Sequence, residues 1–423
     1  MLAGELIDRG HRVTWIAQAD VKALIRDERI GFAAVGDKSH PADSLKWVHT
    51  TLSSGPFGIR RVIRDVAGWT DMLCRDGPSV LKNLQVDALI ADQMEAAGGL
   101  LADGLGLPCV SVACALPVNR EPRVPLPVMP WPYAWDDFAL QRNQVSTRVY
   151  DYLMAPHARV IEGHSRAFRS DRRSTLSDCL SPLLQLSQTT AGFDFPREHL
   201  PRHFHHVGPL RTALGTEPAL DCPVFSGTPF VFASLGTLQG GRFTLFRRIA
   251  KACRSLGVQL LVAHCDRLRP DQAAALVTAG ATWVTGFAPQ RAALEAADVA
   301  ITHAGLNTVL DALTAGTPML ALPITFDQPG VAARVREAGA GIVLSPTFAS
   351  TSAIRKALLA LLNDASYFRS AARLGAEVSQ AGGVQKAVDL IETAIVKGPI
   401  AADDNASSSS LAFVPAHREA RAA

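Results

Sequence analysis

The chain has 423 residues, 48% of them hydrophobic, with 42 basic and 39 acidic side chains and a net charge of +3. That length calls for two domains of roughly 200 residues, each with a sizeable core, and so weak a charge argues against nucleic acid as a partner. No stretch reaches the roughly 18 apolar residues of a membrane span, and seven cysteines without a CxxC pair predict reduced, mostly buried thiols of a cytoplasmic protein.

The first ten residues, MLAGELIDRG, lack the basic region and long apolar run of a signal peptide. A β-rich run, RVTWIA, follows at 12–17. In FGIRRVIRDVAGW, residues 57–69, a helix would place Ile59, Val62, Ile63 and Val66 on one side and Arg60, Arg61 and Arg64 elsewhere. Such a helix either packs on its own domain or rests on a membrane surface. DALIAD and PCVSVAC then read as two further strands.

Residues 117–135 form a proline-rich stretch carrying Asn119, Met129, Trp131, Tyr133 and Trp135. It is either an irregular surface loop or the wall of an apolar channel. His199, His203, His205 and His206 crowd one region, but no carboxylate or cysteine stands at ligand spacing, so no metal is expected. The glycine- and proline-rich residues 211–229 separate two halves and are expected to be the linker.

From residue 230 onward the runs FVFASLG, QLLVAH, TWVTGF, DVAITH, PMLALP and AGIVL alternate with amphipathic segments. That alternation predicts a parallel sheet of βαβ units, with ligands beyond the carboxyl ends of the strands. The expected organisation is a first domain over 1–210, the linker over 211–229, and a second domain with C-terminal helices over 230–397. The serine-containing end, 398–423, is expected to be a disordered tail.

One carboxyl end stands out. After DVAITH comes AGLNTVLDALTAGTP, in which Leu306, Val309, Leu310 and Leu313 form a core-facing helical stripe. Gly316 sits at the expected helix end, followed by Pro318. His303, Gly305, Asn307 and Thr308 therefore cluster at the helix start, where unpaired amides and the helix dipole favour an anion such as phosphate. Asp311, one turn deeper, would repel phosphate but suits a sugar's paired hydroxyls. A plain βα turn with a capping Asn307 or Thr308 explains the same residues on their own.

Other strand ends add to the cluster. Asp327 and Gln328 precede Pro329 after PMLALP and suit the hydroxyls of a hexose. Phe287 offers a stacking face for a flat base, with Gln290 and the backbone near Ala288 at its edge. Ser234, Gly236 and Thr237 follow FVFA, where a glycine lets backbone approach a diphosphate. The chain carries neither GxGxxG nor GxxxxGK[ST], which disfavours NAD or P-loop ATP use.

The PQ pair, HAGLNT with a following acid, and DQ, in this order and spacing, resemble the donor signature of the family 1 UDP-dependent glycosyltransferases. Long stretches, among them ADQMEAAGGLLADGLGLPCVSVACALPVNREP and FASLGTLQGGRFTLFRRIAKAC, are similar to the branch of that family that glucosylates zeaxanthin. The resemblance runs from residue 1 to about 397 and implies an α/β fold of the GT-B type, two Rossmann-like domains facing across a cleft. It implies an inverting transfer of glucose from UDP-glucose, as co-substrate and without further cofactor, to the hydroxyls of a lipophilic alcohol such as zeaxanthin.

By matching positions, His303, Asn307 and Thr308 would hold the diphosphate, Asp311 the ribose, Phe287 and Gln290 the uracil, and Asp327 and Gln328 the glucose. Plant members of the family carry glutamate and tryptophan where this chain has Asp311 and Phe287. Asn119, Met129 and Trp131 are the candidate acceptor contacts. The acceptor class makes the inner membrane surface a candidate location for an otherwise cytoplasmic protein.

Asp92 matches the acid that orients the family's base histidine. That histidine follows the family's first strand, whereas this sequence opens on what resembles the first helix, so the strand and the histidine loop are expected ahead of Met1. His11 lies at the opposite end of the sheet and reads as a solvated turn residue. Three other readings stay open: action on another lipophilic aglycone, a non-catalytic UDP-sugar-binding protein, and a UDP-sugar epimerase.

Overall fold

Short β-branched and aromatic runs bounded by glycine and proline become strands, and the amphipathic segments between them become helices. The computed structural model describes residues 1–37, 39–41, 55–211 and 218–398. The expected tail from 399 onward and linker residues 212–217 lie outside the described residues.

The first half runs α1 (Leu2–Asp8), β1 (Thr14–Ala17), β2 (Gly31–Ala34), α2 (Gly55–Leu84), β3 (Leu89–Asp92), α3 (Ala97–Leu105), β4 (Cys109–Ala113), α4 (Asp137–Leu153), α5 (Ala155–Ala167), β5 (Leu184–Ser187) and β6 (Phe204–His206). All strand pairs are parallel, but the strands form two pieces. β3, β4, β5 and β6 lie side by side in that order, while β1 pairs with β2. Every residue of β4 and β5 is buried, as expected for parallel strands covered on both faces. β1 and β3 do not pair with each other, and exposed apolar side chains, Trp15 and Ile90, lie on these two strands.

The apolar side of the helix predicted at 57–69 faces inward. It belongs to the longer α2, where Ile63, Ala67, Met72, Cys74 and Leu81 are buried, with Val62 and Val66 half-buried. The packing of α2 against α3 and α5 answers the amphipathic pattern, and of the four apolar residues only Ile59 is exposed.

The second half runs β7 (Phe230–Ser234), α6 (Gly236–Gln239), α7 (Phe243–Leu256), β8 (Gln259–Ala263), α8 (Pro270–Ala279), β9 (Trp283–Thr285), α9 (Gln290–Ala296), β10 (Val299–Thr302), α10 (Leu306–Thr314), β11 (Met319–Ala321), α11 (Gln328–Glu337), β12 (Gly341–Val343), α12 (Thr351–Asn363), α13 (Ala365–Gln380) and α14 (Gly383–Lys397). Its six strands form one parallel sheet in the order β12-β11-β10-β7-β8-β9, a doubly wound arrangement. On one face Phe246 and Ile249 of α7 and Ile354 and Leu358 of α12 meet the sheet. On the other, Leu306, Val309, Leu310 and Leu313 of α10 pack with Leu374 and Val378 of α13.

α14 corrects the expected domain boundary. The sequence assigns it to the second domain, whereas Ala387, Val388, Ile391 and Ala394 are buried against Leu6, Val110, Val112, Leu184 and Val207 of the first. Burying that apolar face on the uncovered side of β4 and β5 is what carries the chain back across. The polar edge of the crossing is tied by Arg9, which bonds Asp389 at 2.6 Å and Glu392 at 3.0 Å.

The halves meet along α11. The Gly330 amide donates to Pro127 O at 3.1 Å, and a Cβ at Gly330 would lie 2.2 Å from that oxygen, so only glycine permits the approach. Arg334, fully buried, reaches Asp194 of the first half through Nε and Nη2, both at 2.7 Å, and stacks over Phe195 at 4.1 Å. Arg197 binds the other oxygen of Asp194 at 2.9 Å. Burial works against the Asp194 carboxylate, and the two guanidinium groups more than reverse it, holding its pKa well below the usual range.

Candidate functional site

The order of the second sheet changes direction between β7 and β10, which pair in register with Ser234 opposite Thr302. Loops that leave adjacent strands at such a point diverge and open a crevice at the carboxyl edge. Leu235 and Gly236 leave from β7, and His303, Ala304 and Gly305 leave from β10.

The His303 ring sits between the two glycines. A Cβ at Gly236 would lie 2.6 Å from His303 Cε1, and one at Gly305 would lie 2.6 Å from Nε2. Gly236 also has a φ of 72°, which any side chain would strain. Ala304 takes the left-handed conformation at φ 65° despite its methyl group, and Phe326, after β11, does the same at 55°. Non-glycine residues held this way cost on the order of 1–3 kcal/mol each and concentrate at binding sites.

The Nδ1 of His303 is buried and has no hydrogen-bond partner among the described residues. Such an orphan is a place for a ligand atom. Burial lowers the His303 pKa to about 4, so the ring is neutral at pH 7 and carries one N–H donor. Beside it, α10 starts at Leu306 with Gly305 as its cap residue, and no side chain satisfies the first amides. The open helix start and the ring thus lie side by side, a setting suited to an anion.

Asn307 is exposed at the second position of α10, free of the core that takes up Leu306 and Val309. Thr308 Oγ1 donates to Gln290 Oε1 at 3.4 Å, and Gln290 Nε2 donates to Asp311 Oδ2 at 2.6 Å. The structure therefore joins three residues that the sequence placed on separate parts of a nucleotide. Asp311 is buried and also pairs with Arg211 Nη1 at 3.2 Å, with Arg291 Nε at 3.8 Å. Arg211 was missed: a lone arginine at the start of a linker has no pattern to mark it. Phe287 stands 65% exposed between β9 and α9, its ring available for stacking, while Ala288 packs on the core.

Ser234 is buried and its hydroxyl accepts the Gly236 amide at 3.4 Å, which shapes the turn; Thr237 is exposed beyond it. Gln328 uses its carbonyl oxygen to accept the Ile324 and Thr325 amides, both at 2.9 Å, and so fixes the loop after β11. Asp327 Oδ2 accepts the Leu116 amide at 3.3 Å from the first half, and burial raises the Asp327 pKa. This acid thus stands where the halves meet, at the carboxyl edge of the second sheet.

Across from it, Asp92 ends β3, and its Oδ1 accepts the Met94 amide at 2.7 Å. Burial raises the Asp92 pKa, and bonds from Met94 and the Cys114 thiol work in the other direction. The Cys114 thiol, though the residue is exposed, is in turn pushed up to about 12 by desolvation and by Asp92. Of the acceptor candidates, Asn119 donates its amide to Gln185 at 2.8 Å and fixes the loop. Met129 and Trp131 are half-buried, with the Arg142 guanidinium 4.5 Å over the Trp131 ring.

Residues 75–379 match the family model described as UDP-glucuronosyl and UDP-glucosyl transferase. The chain is 47% identical over 400 residues to a zeaxanthin glucosyltransferase of Pantoea ananas, covering 94% of this chain and 92% of the relative. It is 46% identical over 396 residues to a zeaxanthin glucosyltransferase of Pseudescherichia vulneris, covering 93% and 94%. The crystal structure of a kitacinnamycin glycosyltransferase superposes with a TM-score of 0.72 at 19% identity, covering 93% of this chain and 94% of that one. The chain belongs to the UDP-glucuronosyl and UDP-glucosyl transferase family and has the GT-B fold.

Proposed function

We propose that this protein transfers glucose from UDP-glucose to the ring hydroxyls of zeaxanthin, with inversion at the anomeric carbon and with no metal or further cofactor. The acceptor rests on the names of the two bacterial relatives. The donor rests on the partnerless, buried nitrogen of His303 between Gly236 and Gly305, beside the open start of α10.

In this reading the α10 amides, Asn307 and the neutral His303 donate to the diphosphate, and Phe287 stacks on the base. The acceptor hydroxyl oxygen attacks the anomeric carbon as the bond to UDP breaks, and the bonding electrons pass to the diphosphate oxygen. The helix start and His303 stabilise that developing charge, each charge-assisted hydrogen bond contributing about 1.5–3 kcal/mol. Asp327 and Gln328 position the glucose, and Asp92 orients the base that takes the acceptor proton. Because the acceptor dissolves in lipid, we place the enzyme at the cytoplasmic surface of the inner membrane.

The decisive pair of measurements is UDP binding by calorimetry and glucoside formation by chromatography. UDP is expected to bind, and His303→Ala with Asn307→Ala is expected to weaken it at least tenfold. Unchanged affinity in that double variant sinks the donor site. Transfer to another lipophilic alcohol but not to zeaxanthin sinks the acceptor assignment alone.

A further inference from the structure

α4 is built inside out. Its buried side consists of Ala139, Asn143 and Ser146, with Asn143 donating to Pro122 O at 3.3 Å and Arg123 O at 3.1 Å. Arg120 clasps Asp151 through two bonds of 3.0 and 2.7 Å and ties down the last turn. Its outward side carries Phe138, Val145, Val149 and Tyr152, which are 73%, 50%, 53% and 81% exposed. These fall at i, i+7, i+11 and i+14, one line along the helix. A stripe of that spacing is about 21 Å long at 1.5 Å per residue. Leu153 and Trp135 extend it at either end, both exposed.

A surface helix of a soluble protein turns its apolar stripe to the core. Here polar contacts hold the helix in place and the apolar stripe is left for something else. The stripe has aromatic groups toward both ends and arginine beside it, with Arg148 exposed on one flank and Arg142 lying over Trp131. Of the acids at its start, Asp136 caps the helix by accepting the Ala139 amide at 2.8 Å, and Asp137 is exposed beside Phe138. A one-sided apolar helix with cations and terminal aromatics suits an anionic lipid surface, lying in its plane.

We infer that the outward face of α4 docks the enzyme onto an anionic lipid bilayer, with Phe138, Val145, Val149 and Tyr152 entering the headgroup boundary. The occupant is committed by charge: Arg148 and Arg142 beside the stripe, and Arg123 over the Trp135 ring, complement lipid phosphate. The choice of a membrane rests on the proposed lipid-soluble acceptor. The stripe continues through Trp135, whose ring meets Tyr133 at 5.1 Å, into the loop that carries Trp131 and Met129. A docked α4 therefore sets that loop against the lipid that holds the acceptor.

The test is flotation with vesicles of phosphatidylcholine alone and of phosphatidylcholine with phosphatidylglycerol. The wild-type chain is expected to float with the anionic vesicles, and Val145→Glu with Val149→Glu to reduce the bound fraction at least tenfold. Ile59→Glu, on α2, is expected to leave binding as in the wild type. Equal flotation of the double variant and the wild type overturns the inference, as does failure of the wild type to float. A wild-type dimer in gel filtration that the double variant converts to monomer also overturns it, since a second copy then covers the face. UDP binding measured on the same variants separates this inference from the donor site, because it is expected to be unchanged in all of them.

Discussion

At the carboxyl edge of the second sheet, β7 and β10 pair over four residues, both strands are fully buried, and the loops leaving them close around His303. At the corresponding edge of the first domain, Asp92 stands on β3, which pairs with β4 and not with β1, and whose Ile90 is 41% exposed. The two halves share one plan, but among the described residues β3 has one strand neighbour while β7 and β10 have two each. A strand paired on both sides opens only with the whole domain, whereas one paired on one side opens locally at lower cost. The edge around His303 is therefore preformed, and the edge around Asp92 is the softer partner.

The largest expected effect comes from cutting what holds the softer half to the firmer one. Arg334→Met leaves Asp194 buried with Arg197 as its remaining guanidinium partner. Breaking such a buried pair costs about 3–5 kcal/mol, and urea unfolding followed by circular dichroism reads it. Hydrogen exchange should then show the amides of β3 opening well before those of β7 and β10. Equal protection on both sheets would remove the distinction between the halves.

A second effect is confined to the firm side and depends on pH. The His303 imidazole titrates near 6.5 in the unfolded chain and at about 4 in the fold. Its stabilising contribution is complete above pH 6.5 and is lost as the pH falls from 6.5 toward 4, because only the unfolded chain takes up the proton in that window. At about 1.4 kcal/mol per pH unit, the loss is on the order of 2–3 kcal/mol. Denaturant curves at pH 7 and pH 4 should show this slope in the wild type and a flatter one in His303→Gln. A parallel slope in both would mean that the ring is not held neutral.

Gly236→Ala tests the packing around that ring more gently. The new methyl group meets His303 Cε1 at 2.6 Å and takes a φ of 72° that suits only glycine. Relieving about 1–3 kcal/mol of strain displaces the ring or the turn. UDP affinity is expected to fall roughly 10- to 100-fold while the circular dichroism spectrum is retained. Full affinity would show that the ring and the turn can separate without cost to the site.

Much of the firm half was legible because its signals are local. The apolar runs that end in Ser234 and Thr302 and the stripe from Leu306 to Leu313 all lie within one strand or one helix. What stayed hidden depends on which surface an element meets. The face of α14 that carries Val388 and Ile391 suits either domain, and only the fold shows that β4 and β5 receive it. Arg211 reaches Asp311 across a hundred residues, and Asn119 spends its amide on Gln185; neither choice leaves a periodic mark. The pairing of strands in the first half is likewise a long-range property.

The smallest effect tests the soft edge directly. Desolvation raises the Asp92 pKa even with Met94 and Cys114 bonded to it, but the residue keeps solvent contact that screens the effect, so folding favours the neutral carboxyl only slightly. The contribution of this group to stability is present below the unfolded carboxyl pKa, about 3.9, and is lost as the pH rises through the folded value. Asp92→Asn removes the charge and should raise the melting temperature at pH 7 by at most a few degrees, with no gain at pH 3. In the same variant, glucoside formation should fall while UDP affinity stays constant, as the role proposed for this acid requires. A variant that gains stability at neutral pH and loses turnover would place the strain of catalysis on the half with the open strand edge. One that loses both stability and UDP binding would show that the two edges are not independent.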